Sequence, residues 1–222
     1  DPLIVLNDAD LDAAADVATL SRIINAGQSC IAAKRVIVEA GVYDDFIAKL
    51  KTRLEKLKLG DPLSADTDIG PIAREDLRQN LHRQVSETVS AGANCLLGGE
   101  LPDGDGFFYP VTLLTNVDKT MCAFKEETFG PVMAVVKADD GMHALELAND
   151  SEFGLGASIW TQDIALAEFF ALELNTGQVA VNGIVKTDPR LPSGGIKKSG
   201  FGRELGPHGI KEFVNAKQVW IK

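Results

Sequence analysis

Tryptophan and tyrosine are scarce, two of each in 222 residues, and cysteine and histidine number three apiece. Three cysteines (Cys30, Cys95, Cys122), odd in number and far apart, make no disulfide framework, which points to a reducing, cytoplasmic setting. With no CxxC, no HExxH and no His/Cys cluster at ligand spacing, no metal site is expected. No apolar run approaches the ~20 residues needed to cross a bilayer, and no basic-then-apolar leader opens the chain, so neither a membrane nor export is expected. Basic side chains are also in deficit. Against 32 Asp and Glu stand 22 Lys and Arg, a net charge of −10 that disfavours a nucleic-acid partner. Phosphate-binding signatures are missing too: "SGGIKKSGFG" fails the P-loop spacing because Phe201 follows Gly200, and no G-x-G-x-x-G follows a strand to open a helix. An initiating Met is absent as well. The chain opens on "DPLIVL" and is expected to be a piece of something longer.

What is present is ordinary globular composition, 45% hydrophobic and 24% charged, patterned in alternating elements. "DADLDAAADVATLSRIIN" offers Asp8 or Asp10 as an N-cap and places Ala13, Val17, Leu20 and Ile24 on one helical face, with Gly27 stopping the helix. "RVIVE" is a β-branched run. "YDDFIAKLKTRLEKLKLG" spaces Phe46, Leu50, Leu54 and Leu57 helically, with Gly60 as a C-terminal cap. A further helix from Arg74 to about Ala91 carries Leu77, Leu81 and Val85. "NCLLGG", "YPVTLLTNV", "GPVMAVVKA", "GASIWT" and "GQVAVNG" read as strands, and "GMHALELAND" and "DIALAEFFALELN" as helices. Strands separated by helices require crossovers, so the class is α/β, a mainly parallel sheet with helices on both faces. Ligand sites in such sheets form at the carboxyl ends of the strands. "TDPRLPSGGIKKSGFGRELGPHG", with six glycines and three prolines, is too irregular for a packed helix. "FVNAKQVWIK" closes the chain as an apolar strand, an edge or a donor to a neighbouring subunit.

Two stretches carry candidate chemistry. In "INAGQSCIAAKRVIVE", Cys30 follows a Gly-Gln turn and precedes a strand, so it is either a nucleophile or a small buried filler. His82, His143 and His208 have no sequence-level tie to it and read as solvated side chains. In "KEETFGPVMAVV", Glu126 and Glu127 precede a Phe-Gly-Pro turn that launches a strand, a place where a carboxylate can accept hydrogen bonds from sugar hydroxyls. An exposed acidic loop is the plainer alternative.

Taken together, "NAGQSC" (25–30), "EETFGPV" (126–132) and "SGGIKKSGFGRELG" (193–206) resemble the aldehyde dehydrogenase superfamily. They match its N-x-G-Q-x-C, E-E-[IT]-F-G-P and F-G-G-x-K-x-S-G-x-G-R-E segments, in the family's order. "LNDADLDAA" and the terminal "KQVWI" fit as well. The likeness spans nearly the whole chain but only the C-terminal half of a family member. It implies that Cys30 attacks an aldehyde carbon, with its own N–H donating to the oxyanion, and that hydride passes to NAD or NADP before water releases the acid. Glu127 would bind the nicotinamide ribose and Phe129 border the ring, while Asn25, Gly27 and Gln28 shape the turn. "NGIVKTDPRLPSGG" resembles the succinate-semialdehyde dehydrogenase group, which would place Arg190 near the aldehyde tunnel to hold the distal carboxylate of a small acidic aldehyde. Ser193 stands where most members have Phe, and Ile23 replaces another usual Phe.

On that basis residues 1–210 form the nucleophile-bearing catalytic domain, and 211–222 an oligomerisation strand joining a homodimer or homotetramer. The N-terminal cofactor-binding domain, with the family's general-base Glu and oxyanion Asn, would lie outside this chain, which alone is expected to be inactive. Two other readings stay open. One is a cofactor-independent cysteine acyltransferase or esterase; the other is a non-catalytic assembly domain.

Overall fold

The computed structural model describes residues 1–222. Strand β1 (Pro2–Val5) lies inside a seven-stranded sheet, and all four of its residues are buried, the pattern of a strand covered on both faces. Helix α1 (Leu11–Ile23) is capped by Asp10, whose carboxylate accepts the N–H groups of Asp12 and Ala13. The helix ends at Ile23, before Gly27 rather than at it, because Asn25 and Ala26 already turn left-handed. Its buried face also differs from the expected stripe. Leu20 and Ile24 are 49% and 46% exposed, while Ala14, Ala15 and Ala18 reach the core. Small residues let the helix lie close against its neighbours, and the larger ones are turned outward.

Strand β2 (Arg35–Glu39) leads to helix α2 (Tyr43–Leu54), which buries Phe46, Leu50 and Leu54 as its spacing requires. That helix stops at Leu54, so Gly60 is not its cap; Gly60 follows an isolated bridge between Leu59 and Ile69. Helix α3 (Glu75–Ser90) buries Leu81 and Val85. Then come β3 (Asn94–Leu97), β4 (Thr112–Thr115), the short α4 (Cys122–Lys125), β5 (Val132–Ala138) and α5 (Gly141–Asn149). Strands β6 (Phe153–Gly154) and β7 (Gly156–Trp160), helix α6 (Ile164–Glu173) and β8 (Gln178–Val181) follow. Strand β9 (Ile196–Lys197) and helix α7 (Gly206–Lys211) complete the elements.

The large sheet runs β3-β4-β5-β2-β1-β7-β8. Every pairing is parallel except β3 with β4. Alternate side chains build two cores. Leu3, Val5, Val36, Val38, Met133 and Val135 pack with Ala14, Ala18, Phe46 and Leu50 of α1 and α2. Ile4, Ile37, Ala134, Val136 and Ile159 pack with Val85, Ala144 and Phe170 of α3, α5 and α6. The sheet is therefore mainly parallel with helices on both faces. No helix is long and apolar enough to cross a membrane.

The glycine-rich tail departs from expectation twice. It holds a helix after all, α7, begun by Pro207 in its first turn, where a missing N–H costs nothing. The closing residues 215–222 form no strand and pair with nothing in this chain. Val219, Trp220 and Ile221 are 71%, 76% and 87% exposed. Elsewhere the tail is tied down by β9, which pairs antiparallel with β6.

Candidate active site

The turn before Cys30 is left-handed at three consecutive residues, Asn25, Ala26 and Gly27 (φ +53°, +53° and +75°). Such a run is costly for non-glycine residues and persists only where its surroundings impose it. Two side chains brace it from within: Asn25 Nδ2 donates to Gln28 O (3.0 Å) and Gln28 Nε2 to Asn25 O (3.2 Å). Gln28 Oε1 also accepts the N–H of Ala73 (2.9 Å), anchoring the turn to the segment before α3. Gly27 admits no side chain, since a Cβ there would fall 2.2 Å from the carbonyl oxygen of Gly130. The turn before Cys30 thus sits directly on the Phe-Gly-Pro turn, and two sequence motifs about a hundred residues apart become one surface.

Cys30 is exposed and lines a cleft of about 820 Å³ together with Lys34, Glu127, Ser193, Arg203 and Phe213. The two adjacent carboxylates are sharply divided in role. Glu126 accepts from Arg83 (2.7 Å) and Gln84 (2.9 Å), which hold its carboxyl below the usual range. Glu127, 40% exposed, has one oxygen 3.3 Å from the Lys34 ammonium and the other without a partner in this chain. That free oxygen suits a sugar hydroxyl, so the donor and acceptor chemistry fits the ribose of a nicotinamide cofactor. Phe129 is not among the residues lining the cleft; its ring packs 5.8 Å from the same ammonium. Ser193 is buried, exchanging backbone hydrogen bonds with Glu204 at 2.8 and 2.6 Å, and does line the cleft.

Arg190 is not brought to this cleft. It projects from the tail, 85% exposed, with its guanidinium folded onto Asp188 (2.9 and 2.6 Å). An "Asp-Pro-Arg" step lets the arginine pair locally with Asp188, two residues away. The other two thiols do not line the cleft. Burial and the neighbouring Glu126 push Cys122 up to about 11, and burial raises Cys95, which donates to Leu97 O (3.3 Å).

Two basic residues that carry no motif, Arg22 and Lys34, converge on the Cys30 segment of this acidic chain, and a third, Arg35, is buried next to them in sequence and turned to another element. Arg22, fully buried, donates to the carbonyls of Gly27 and Ala33. Lys34 donates to those of Ser29, Cys30 and Ala32. Arg35 caps the C-terminal end of α5 through Leu147, Ala148 and Asp150. Burial is the leading cause that lowers Lys34, to about 8, with Arg22 adding to the fall and Glu127 opposing it. The sequence signal was faint: a "KR" pair at the start of an otherwise apolar strand, where side chains must be buried.

A cysteine open to a cleft in a mainly parallel α/β sheet thus shares that cleft with a carboxylate that keeps one oxygen free. The chain belongs to the aldehyde dehydrogenase family, whose profile matches residues 1–219. It is 48% identical over 221 residues to the succinate-semialdehyde dehydrogenase [NADP(+)] 1 of Mycobacterium tuberculosis. It is 51% identical over 220 residues to the succinate semialdehyde dehydrogenase [NAD(P)+] Sad of Escherichia coli. These alignments take in 100% and 99% of this chain but 48% of each relative, so the chain spans about half their length. Among solved structures, Gox0499 superposes with a TM-score of 0.96 at 45% identity, covering 100% of this chain and 49% of that one. Betaine aldehyde dehydrogenase from Staphylococcus aureus, in complex with NAD+, gives 0.92 at 36% identity, covering 96% and 43%.

Proposed function

We propose that this chain is the nucleophile-bearing portion of an NAD(P)-dependent aldehyde dehydrogenase that oxidises succinate semialdehyde, or another short acidic aldehyde, to the carboxylic acid. One observation carries the reading: Cys30 is open to the cleft that also holds Glu127 and Ser193. The names of the relatives support the substrate and the cofactor pair.

Cys30 attacks the aldehyde carbon. The new carbon–sulfur bond pushes the carbonyl electron pair onto oxygen, and the N–H of Cys30 donates to that oxyanion. Bound NAD(P) supplies a hydride acceptor, and its ribose would be held by Glu127 and its ring bordered by Phe129. Loss of hydride leaves a thioester on Cys30. Water adds to it, the carbon–sulfur bond breaks, and the acid departs as the thiolate returns. Asn25, Gly27 and Gln28 hold the turn that presents the sulfur. Ser193, in place of a bulky aromatic, leaves room beside the cleft for the substrate. Exposed Val219, Trp220 and Ile221 suit pairing with a second copy of the chain, in a homodimer or homotetramer. Unpaired cysteines fit a reducing, cytoplasmic setting.

The intact protein that carries this chain, given succinate semialdehyde and NADP+ or NAD+, is expected to yield succinate and reduced cofactor in equal amounts. Acid-quenched samples should show an acyl adduct on the peptide containing Cys30. No aldehyde-dependent reduction of either cofactor, with 4-nitrophenyl acetate still hydrolysed, would turn the assignment to a cofactor-independent acyltransferase or esterase.

A further inference from the structure

Four oxygen atoms surround the ammonium of Lys34. Three are carbonyls of its own loop, Ser29 (3.3 Å), Cys30 (3.1 Å) and Ala32 (3.4 Å), and the fourth is Glu127 Oε1 (3.3 Å). The side chain is only 7% exposed. An ammonium is costly to bury, and this one carries three donors for four acceptors. A stem that merely filled space would need no charge at its end.

The consequence lies in the peptide planes. Every peptide bond is trans, so a carbonyl aimed at the ammonium aims the next residue's N–H the opposite way. Ser29 and Cys30 both present their carbonyls to Lys34. The N–H groups of Cys30 and Ile31 therefore point away from it, and neither donates to an acceptor within the chain. Two unengaged donors flank the sulfur-bearing residue, in a turn that Arg22 and Gly27 already immobilise. Preorganised donors of this kind stabilise an oxyanion without reorganising at the moment of reaction. A cation on the carbonyl side of the same peptides polarises them in the direction that strengthens those donors.

We propose that Lys34 is a positioning residue that serves both halves of the reaction: it aims the N–H groups of Cys30 and Ile31 at the oxyanion and tethers Glu127 for the cofactor ribose. This rests on the dehydrogenase reading above. Lys34 gives up no proton in the step; as the carbonyl electron pair moves to oxygen, the developing charge is met by the N–H groups it has oriented.

The test uses the intact protein with Lys34→Met, which keeps the length of the stem and removes the charge, and Lys34→Gln as a second neutral variant. Acylation is read without cofactor, as the burst of 4-nitrophenolate from 4-nitrophenyl acetate. Cofactor binding is read separately, as the Kd for NADP+ by fluorescence titration. In whichever neutral variant keeps the wild-type circular dichroism spectrum, the burst rate should fall ~10–100-fold, and Kd should weaken on the order of tenfold. Lys34→Arg should recover most of the cofactor affinity, because it restores a cation beside Glu127. A folded neutral variant with both constants unchanged overturns the role of Lys34 alone. Wild-type protein with no aldehyde-dependent NADP+ or NAD+ reduction overturns the dehydrogenase reading instead.

Discussion

Two irregular stretches line the same cleft, residues 24–34 and 187–205, and they are built in opposite ways. The first is stiff. Its carbonyls are taken up by Arg22 and Lys34, its left-handed run is braced by Asn25 and Gln28, and Gly27 presses on Gly130. The second hangs from a few fastenings, the Ser193–Glu204 backbone pair, the short β6–β9 ladder, and Arg203 donating to Gly195 O and Gly202 O (2.8 Å each). Phe201 within it is fully exposed. The contrast follows the chemistry proposed for each. A sulfur and its oxyanion donors must be held in narrow geometry, whereas a loop that admits a substrate can vary in sequence and path.

The largest effect should come from the sulfur itself. Cys30→Ala in the intact protein is expected to lower kcat for aldehyde oxidation by about 10³-fold or more. Cys122→Ala should leave kcat within about twofold, because Cys122 lies outside the cleft and burial holds its thiol up. Equal losses in the two variants would erase the distinction between the cleft and the rest of the molecule.

Next is the tight packing around the stiff turn, set beside the open packing around the loose loop. Gly27→Ala forces a Cβ to within 2.2 Å of Gly130 O at φ +75°, and should cost about 2–4 kcal/mol in urea unfolding. Gly202→Ala meets nothing within 4 Å and should stay within about 0.5 kcal/mol. A Gly27 variant as stable as wild type would remove the claim that the two motifs are pressed together.

A third test uses pH. Burial has taken Lys34 to about 8 in the folded chain, below the ~10.4 of an unfolded lysine. Between those values the unfolded state holds a proton that the folded state has released, so stability should rise with pH across that window. The rise, up to about 1.4 kcal/mol per pH unit, should appear in wild type relative to Lys34→Met, measured by urea midpoints from pH 8 to 10. Parallel profiles would mean that the lysine is not buried as described.

The smallest effect belongs to the tail. With its guanidinium on Asp188 and outside the cleft, Arg190→Ala should change the preference for succinate semialdehyde over an uncharged aldehyde by less than about twofold. A selective loss of the acidic substrate would return Arg190 to the site and show that the loose loop closes on the ligand.

Local patterns in the sequence were enough for much of this. Periodicity located α2 and α3, a β-branched run located β2, and α5, α6, β5 and β7 fell where short stretches read as helices or strands. Cys30 and Glu127 stood out because each sits in a turn beside a strand. Other features left little trace. β1 is only "PLIV", a short buried run with no alternation to mark it. The face that α1 buries is its alanine face, which a search for large apolar residues passes over. Arg190 looked free because its partner Asp188 lies two residues away, and spacing alone does not tell whether a side chain turns inward or back on its own loop.

Most of the alternating helices and strands, and the thiol and carboxylate side chains set in turns, were set by the sequence alone, because periodicity and turn chemistry act over a few residues. The tertiary structure decided which glutamate was left with a free oxygen, that Gly27 meets Gly130, and that an unremarked lysine gathers the carbonyls around Cys30. Those facts depend on segments about a hundred residues apart reaching the same end of one sheet, and only the packed sheet fixes that distance.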